Sequence, residues 1–200
     1  LGIDCSSLCF LPLTSLLTLM AIVAGWNSVQ RSHSFHIALL LALESITIGV
    51  FTALDLALFF LFWELTLPPL FFLIGLWGVG AERRAAAMKY VLYMLFGGVP
   101  LLFGMLLLAL GHAAHHGELS FNLPALLANG LPVDRQGMVF LLLLLGFAVK
   151  TPLLPLHTWL PATAMEAPPQ ITAQLLGLKL GGYGLIRFAI PLAPVAAQEQ

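Results

Sequence analysis

Apolar residues run together along this chain instead of alternating with polar ones. Six stretches approach or exceed the roughly 20 residues that a helix needs to cross a bilayer core: residues 8–26, 36–54, 56–77, 86–111, 137–157 and 171–192. Barrel strands would be about 10 residues long and strictly alternating, and nothing here alternates. Backbone amides in lipid find no water to bond, so all six are predicted to be helices. Two connections are polar or rich in breakers: Asn27-Ser28-Val29-Gln30-Arg31-Ser32-His33 and Val79-Gly80-Ala81-Glu82-Arg83-Arg84. Between the second and third spans only Asp55 marks a break. The longest connection, 112–136, holds His115, His116, Glu118, Asp134 and Arg135. Its Leu-rich patch at 123–127 predicts a short surface helix.

Composition sharpens this picture. Of 200 residues, 60% are hydrophobic and 8% charged, against roughly 25% charged in a soluble domain. A net charge of −1 gives no pull on nucleic acid or anionic lipid. Soluble enzymes, disordered tails and DNA-binding modules are excluded, and no soluble domain is expected. The two cysteines, Cys5 and Cys9, belong to no CxxC pair or Cys/His cluster, so no metal ligands are expected. No phosphate loop, Rossmann glycine pattern, haem-attachment motif or nucleophile elbow is present, so no cofactor-binding residues are expected either. The chain starts at Leu1 without a basic leader, and a fragment of a longer protein is expected.

Loop charges give an orientation. Arg31, Arg83 and Arg84 fall on one side of the membrane, with Lys89 just inside the next helix. Cytoplasmic loops carry the excess of Lys and Arg, which puts that side in the cytoplasm.

The ionisable residues inside the spans are the informative ones, because a charge at mid-bilayer costs at least roughly 2.5–3.5 kcal/mol. Glu64 lies about nine residues into its span, too deep for a short stem to snorkel. It reads as a protonatable carboxylate facing a polar interior, the alternative being a structural ion pair. Pro68 and Pro69 follow and should bend that helix. Lys150, in Phe147-Ala148-Val149-Lys150-Thr151-Pro152-Leu153-Leu154-Pro155-Leu156-His157, sits at a helix broken by two prolines. Such breaks occur at membrane depth where they line a hydrated cavity. The freed carbonyls could be satisfied by Thr151 or water. A lysine there holds its proton according to how near a carboxylate stands, which is the physics of a gated proton carrier; the alternative is a structural ion pair beside a proline kink. Lys179 lies in the last span among Gly177, Gly181 and Gly184, whose spacing lets another helix approach closely; the alternative is a lysine that snorkels to an interface. His157 closes the broken helix and suits a relay between lysines, or a bond to a backbone carbonyl. Glu44 divides evenly between function and structure, and Lys89 reads as snorkelling. His112, His115 and His116 read as a solvated loop.

Phe62-Trp63-Glu64-Leu65 with Ile74-Gly75-Leu76-Trp77-Gly78, then Phe147-Ala148-Val149-Lys150-Thr151-Pro152 with His157-Thr158-Trp159-Leu160-Pro161, and Leu178-Lys179-Leu180-Gly181-Gly182-Tyr183-Gly184 together resemble a known family. They resemble the antiporter-like proton-translocating membrane subunits (chain M or chain 4) of NADH-quinone oxidoreductase, respiratory complex I. Leu1-Gly2-Ile3-Asp4 resembles the start of that family's third helix. The resemblance implies an all-α membrane fold of fourteen helices with two inverted five-helix repeats. This chain would hold helices three to eight, with the first repeat at about 36–192 and the second missing. It further implies that Glu64 pairs with the pump lysine Lys150 and that Lys179 connects onward. FMN, iron–sulfur clusters and quinone are implied in partner subunits of a complex I-type assembly in a prokaryotic cytoplasmic membrane. One departure is plain: the family's Leu-Pro-Asp-Ala-His reads Leu160-Pro161-Ala162-Thr163-Ala164 here. A cation/proton antiporter subunit, or the equivalent subunit of a membrane hydrogenase or inorganic-carbon complex, shares these features. A non-transporting scaffold is the reading of another class.

Overall fold

A computed structural model describes residues 1–29, 32–129, 132–177 and 180–199. Helices dominate it, and among the described residues the one strand-like feature is an isolated bridge between Asp55 and Asn122. Helix α1 (Cys5–Gly25) begins at Asp4, whose carboxylate accepts the Ser7 amide at 2.7 Å. Helix α2 (His33–Thr52) runs back beside it. Asp55 then starts α3 (Leu56–Leu65) by accepting the amides of Ala57 and Leu58 at 2.9 and 3.0 Å, so the faint break between the second and third spans is a true N-cap. The helix stops at Thr66 and resumes as α4 (Leu67–Trp77). Prolines 68 and 69 sit in the first turn of α4, where missing amides are harmless.

Helix α5 (Arg83–His116) is longer than its apolar run, so His112 lies on its closing turns and not in a loop. The 112 ring nitrogen stands 3.1 Å from the Glu118 carbonyl. Helix α6 (Leu123–Asn129) forms where the Leu-rich patch lies. It is tucked in and not superficial: Leu123 and Leu126 are buried. Strand-like bonds from Leu56 to Phe121 and from Leu123 to Leu54, each 2.9 Å, pin it against the start of α3.

Helix α7 (Val133–Lys150) ends at the lysine. The predicted span 137–157 is therefore not one helix, because Pro152 and Pro155 remove the donors that would extend it. After turns to Thr158 come α8 (Trp159–Glu166), α9 (Pro169–Gly177) and α10 (Leu180–Gly184). A π-helical turn at Leu185–Ala189, α11 (Ile190–Leu192) and α12 (Pro194–Glu199) complete the chain. Among the described residues five segments are long and apolar enough to cross a membrane: Ser7–Gly25, His33–Thr52, Leu56–Trp77, Arg83–Ala114 and Pro169–Leu192. Their outer faces expose leucine, methionine and phenylalanine, as on α1 at Leu16, Leu19 and Met20. The inner face of α1 buries Ser7, Thr14, Thr18 and Ala21.

The core divides into two apolar slabs. One holds Val50, Phe59, Trp63, Leu101, Phe147 and Phe188. The other holds Leu40, Leu70, Tyr90, Val149, Trp159 and Ile171. Several helices pass from one slab to the other at a small, polar or broken segment. On α2 this segment is Thr47 to Gly49, between α3 and α4 it is Glu64 to Thr66, and on α5 it is Gly97 and Gly98; α7 reaches the second slab at Val149, just before its end at Lys150. A polar layer thus lies between two apolar ones.

Candidate functional site

The layer is built by failed helix ladders. Pro152 cannot bond the Ala148 carbonyl, which accepts the Leu153 amide at 3.0 Å instead. That leaves the Val149 carbonyl, and the buried Trp159 indole N–H donates to it at 2.8 Å. The Thr151 hydroxyl goes to Phe147 at 2.7 Å, so the expectation that Thr151 or water satisfies the freed carbonyls is corrected: an amide and an indole do so. Gly181 lets α10 come close enough to touch this end of α7, since a β-carbon there would stand 2.6 Å from the Thr151 nitrogen. Gly184 makes room for the Phe147 ring in the same way.

Lys150 reaches from this end into the α3–α4 break. Its Nζ donates to Thr66 Oγ1 at 2.8 Å and to the Trp63 carbonyl at 3.2 Å. Thr66 is fully buried, and its hydroxyl donates in turn to the same Trp63 carbonyl at 2.8 Å. The ammonium also lies 4.0 Å above the Trp63 ring, a cation–π placement. Glu64 is near enough to act on Lys150 electrostatically, yet among the described residues the two make no ion pair. One Glu64 carboxylate oxygen is buried without a hydrogen-bond partner, lying where a side chain on Gly98 would go. The Tyr90 hydroxyl is likewise buried and unbonded.

Beside Lys150 is a cavity of about 110 Å³, lined among others by Thr47, Tyr90, Lys150, Thr151, Trp159 and Gln174. It has room for several water molecules and polar groups to hold them. Gln174, on α9, donates to Thr18 at 3.2 Å while its carbonyl oxygen has no protein partner.

The predicted residues are only partly gathered here. Glu64 and Lys150 share the polar layer. His157 sits in the turns after α7, half-buried, with Nδ1 lacking a partner, and among the described residues no hydrogen bond joins it to Lys150. Lys179 lies outside the described residues, as does Arg31. Glu44 is half-buried on α2, with no ion pair among the described residues. Lys89 has its Nζ 6.0 Å from the Tyr93 ring. Sequence reasoning missed Thr66, Tyr90 and Gln174. The signal available for Thr66 was a hydroxyl placed two residues before the proline pair.

Comparison with known proteins follows this geometry. Residues 53–199 match the family described as "NADH:quinone oxidoreductase/Mrp antiporter, TM". The chain is 43% identical over 198 residues to NAD(P)H-quinone oxidoreductase chain 4 2 of Thermosynechococcus vestitus, covering 98% of the chain and 36% of that relative. It is 38% identical over 200 residues to NADH-quinone oxidoreductase subunit M of Rickettsia prowazekii, covering 99% and 40%. It superposes on a chain of respiratory complex I from Thermus thermophilus with bound NADH at a TM-score of 0.79 and 35% identity, covering 95% of this chain and 40% of that one. The chain thus spans about two fifths of the length of these relatives.

Proposed function

The chain belongs to the NADH:quinone oxidoreductase/Mrp antiporter transmembrane family, and from that premise we propose that it is the Lys150-bearing part of a proton-translocating subunit of a quinone oxidoreductase. Relatives matched along nearly the whole chain are quinone oxidoreductase subunits, which favours this over the antiporter named in the same family description. Redox cofactors (FMN, iron–sulfur clusters and quinone) belong to partner subunits in this reading. The site of action is a prokaryotic cytoplasmic membrane.

The observation that carries the reading is the way Lys150 is held. Its ammonium is solvated by a hydroxyl, a carbonyl and an aromatic face, all neutral. Such a lysine can lose its proton without leaving a carboxylate unpaired. Glu64, close but not bonded, sets how firmly the proton is held, and a shift of this carboxylate changes that hold. The cavity offers waters to take the proton away, towards Lys179 and a partner in the second repeat. His157 serves as a relay beside that path.

The test is proton pumping by the assembled, membrane-embedded complex. Lys150→Ala should abolish pumping while assembly persists, and an unchanged proton-to-electron ratio would refute the role. Glu64→Gln, which keeps the shape but not the charge, should uncouple electron transfer from pumping.

A further inference from the structure

The site above explains where a proton is held but not how one reaches it from the end of the bundle that carries Arg83. Residues 159–165, which lie towards that end, contain no ionisable side chain, while Glu166, which ends α8, has its carboxylate against Gly80. A further ionisable side chain lies on α2.

His36, on the second turn of α2, is 1% exposed, and neither ring nitrogen has a hydrogen-bond partner. An imidazole hidden from water with both nitrogens unbonded is costly, and such a group calls for a reason. Its ring stands edge-on to Trp77 at 4.8 Å between centroids. Its Nε2 faces Gly25 at the end of α1: a β-carbon there would be 3.5 Å from His36 Nε2 and 3.6 Å from Gln170 Nε2. The missing side chain of Gly25 thus leaves room for about a methyl group, bordered by polar atoms from α2 and α9.

A line of polar groups leads inward from that space. Gln170 and Gln174 are one turn apart on α9, and Gln174 borders the Lys150 cavity with its unbonded carbonyl oxygen. Thr18 on α1 holds the Gln174 amide. On α2, His36, Leu40, Leu43 and Thr47 are successive buried positions of one face, and the cavity begins at Leu43 and Thr47. The helix rise puts Leu43 about 10 Å from His36.

Building on the proposed proton-translocating role, we propose that His36 is the proton-uptake group of this chain, feeding the Lys150 cavity past Gln170 and Gln174. A proton binds one ring nitrogen as the other nitrogen releases its own, so the ring's charge is unchanged, and the ring returns to its first tautomer before the next transfer. The glutamines do not exchange protons and instead hold the waters that carry them. Among the described residues, His33 on its own helix acts on His36 electrostatically, Trp77 from α4 packs against its ring, and Gly25 from α1 lies between its Nε2 and Gln170 of α9. Of these only His33 is ionisable.

Three variants of the full-length subunit in its assembled complex test this, read as proton flux per electron transferred. His36→Phe keeps a ring against Trp77 and removes both nitrogens, and should lower the flux to that of Lys150→Ala. Gly25→Ala adds a methyl at ordinary contact distance, so the fold is kept while the space is filled. It should slow flux at least about tenfold, equivalent to about 1.4 kcal/mol on the transfer barrier. Wild-type flux in His36→Phe overturns the inference. If that variant fails to assemble, wild-type flux in Gly25→Ala overturns it instead. Lys150→Ala is the reference: wild-type flux there brings down the proposed function itself, whereas its loss beside a normal His36→Phe removes only the uptake route.

Discussion

Among the described residues, two cations reach into the interior of this bundle, and they are held in opposite ways. Arg187, in the π-helical turn, has its side chain 5% exposed and pairs with the Asp4 carboxylate at 2.5 Å. The same guanidinium nitrogen donates to Ser7 at 2.6 Å and to Tyr183 at 2.5 Å, and Tyr183 donates on to the Phe51 carbonyl at 2.9 Å. The start of α1, the end of α2 and the last span are tied together there. Lys150 has no such anchor. It sits between the two apolar slabs, bonded only to neutral groups, with its nearest carboxylate held off. A guanidinium keeps its charge in any protein, whereas an ammonium can shed its proton. One cation is therefore a clamp and the other a carrier. A π-turn often marks a functional region, and here it presents Arg187 to the clamp.

Exchanging the two chemistries gives the largest expected effect. Lys150→Arg keeps the positive charge at the polar layer but cannot release a proton. Pumping should fall as far as in Lys150→Ala, while Arg187→Lys should leave pumping largely intact. Proton uptake and electron transfer measured on both variants in the assembled complex check this, and pumping by Lys150→Arg would erase the contrast. Next in size is removal of the clamp. Breaking a buried pair by deleting one partner costs about 3–5 kcal/mol, and the 44% exposure of Asp4 places this one at or below the lower end. Arg187→Leu should lower the thermal unfolding midpoint of the complex and hasten proteolysis near α1, with Asp4→Asn milder because its site is half in solvent.

That asymmetry between clamp and carrier also governs how much could be read beforehand. Five of the six spans were legible, because apolar runs in lipid leave the backbone no choice but helix. Glu64 and Lys150 were legible because a charge among leucines is expensive wherever its neighbours lie. The helix breaks were legible from Pro68, Pro69, Pro152 and Pro155. Their partners were not. Thr66 and Trp63 meet Lys150 only because α7 stops opposite the α3–α4 break, a matter of how helices pack and not of periodicity. Arg187 and Asp4 stand at opposite ends of the chain, so no local spacing connects them. The chain's His36 reads as one more polar residue at a span's start until its burial and empty hydrogen-bonding positions are known. The closeness of Glu64 to Lys150 was foreseen, but as a pair, and the polar layer keeps them apart.

A smaller effect is expected at Thr66. Thr66→Val preserves shape and removes the hydroxyl that accepts from Lys150, a hydrogen bond to a charged group worth about 1.5–3 kcal/mol. Since the Trp63 carbonyl and ring remain, the lysine should stay in place and hold its proton less firmly. Pumping should slow by about tenfold or less with assembly unchanged, which a kinetic trace of proton uptake would show.

The smallest effect tests whether the carrier's surroundings are rigid. Trp159 is 2% exposed, and its indole N–H is the donor to the Val149 carbonyl, one residue before Lys150. Its ring also packs against Tyr90 at 5.4 Å. Trp159→Phe keeps most of that ring contact and strands the carbonyl, for which a buried unsatisfied acceptor costs about 1–3 kcal/mol. Trp159 itself lines the cavity, so water can take the place of the indole and the cost should lie near the lower figure. The end of α7 would then be held by solvent instead of by a side chain. Stability should drop by about 1 kcal/mol, and pumping should persist at a reduced rate. A variant that instead matches Arg187→Leu in lost stability would show that the end of α7 is clamped as tightly as the π-turn, and the division between clamp and carrier would no longer hold.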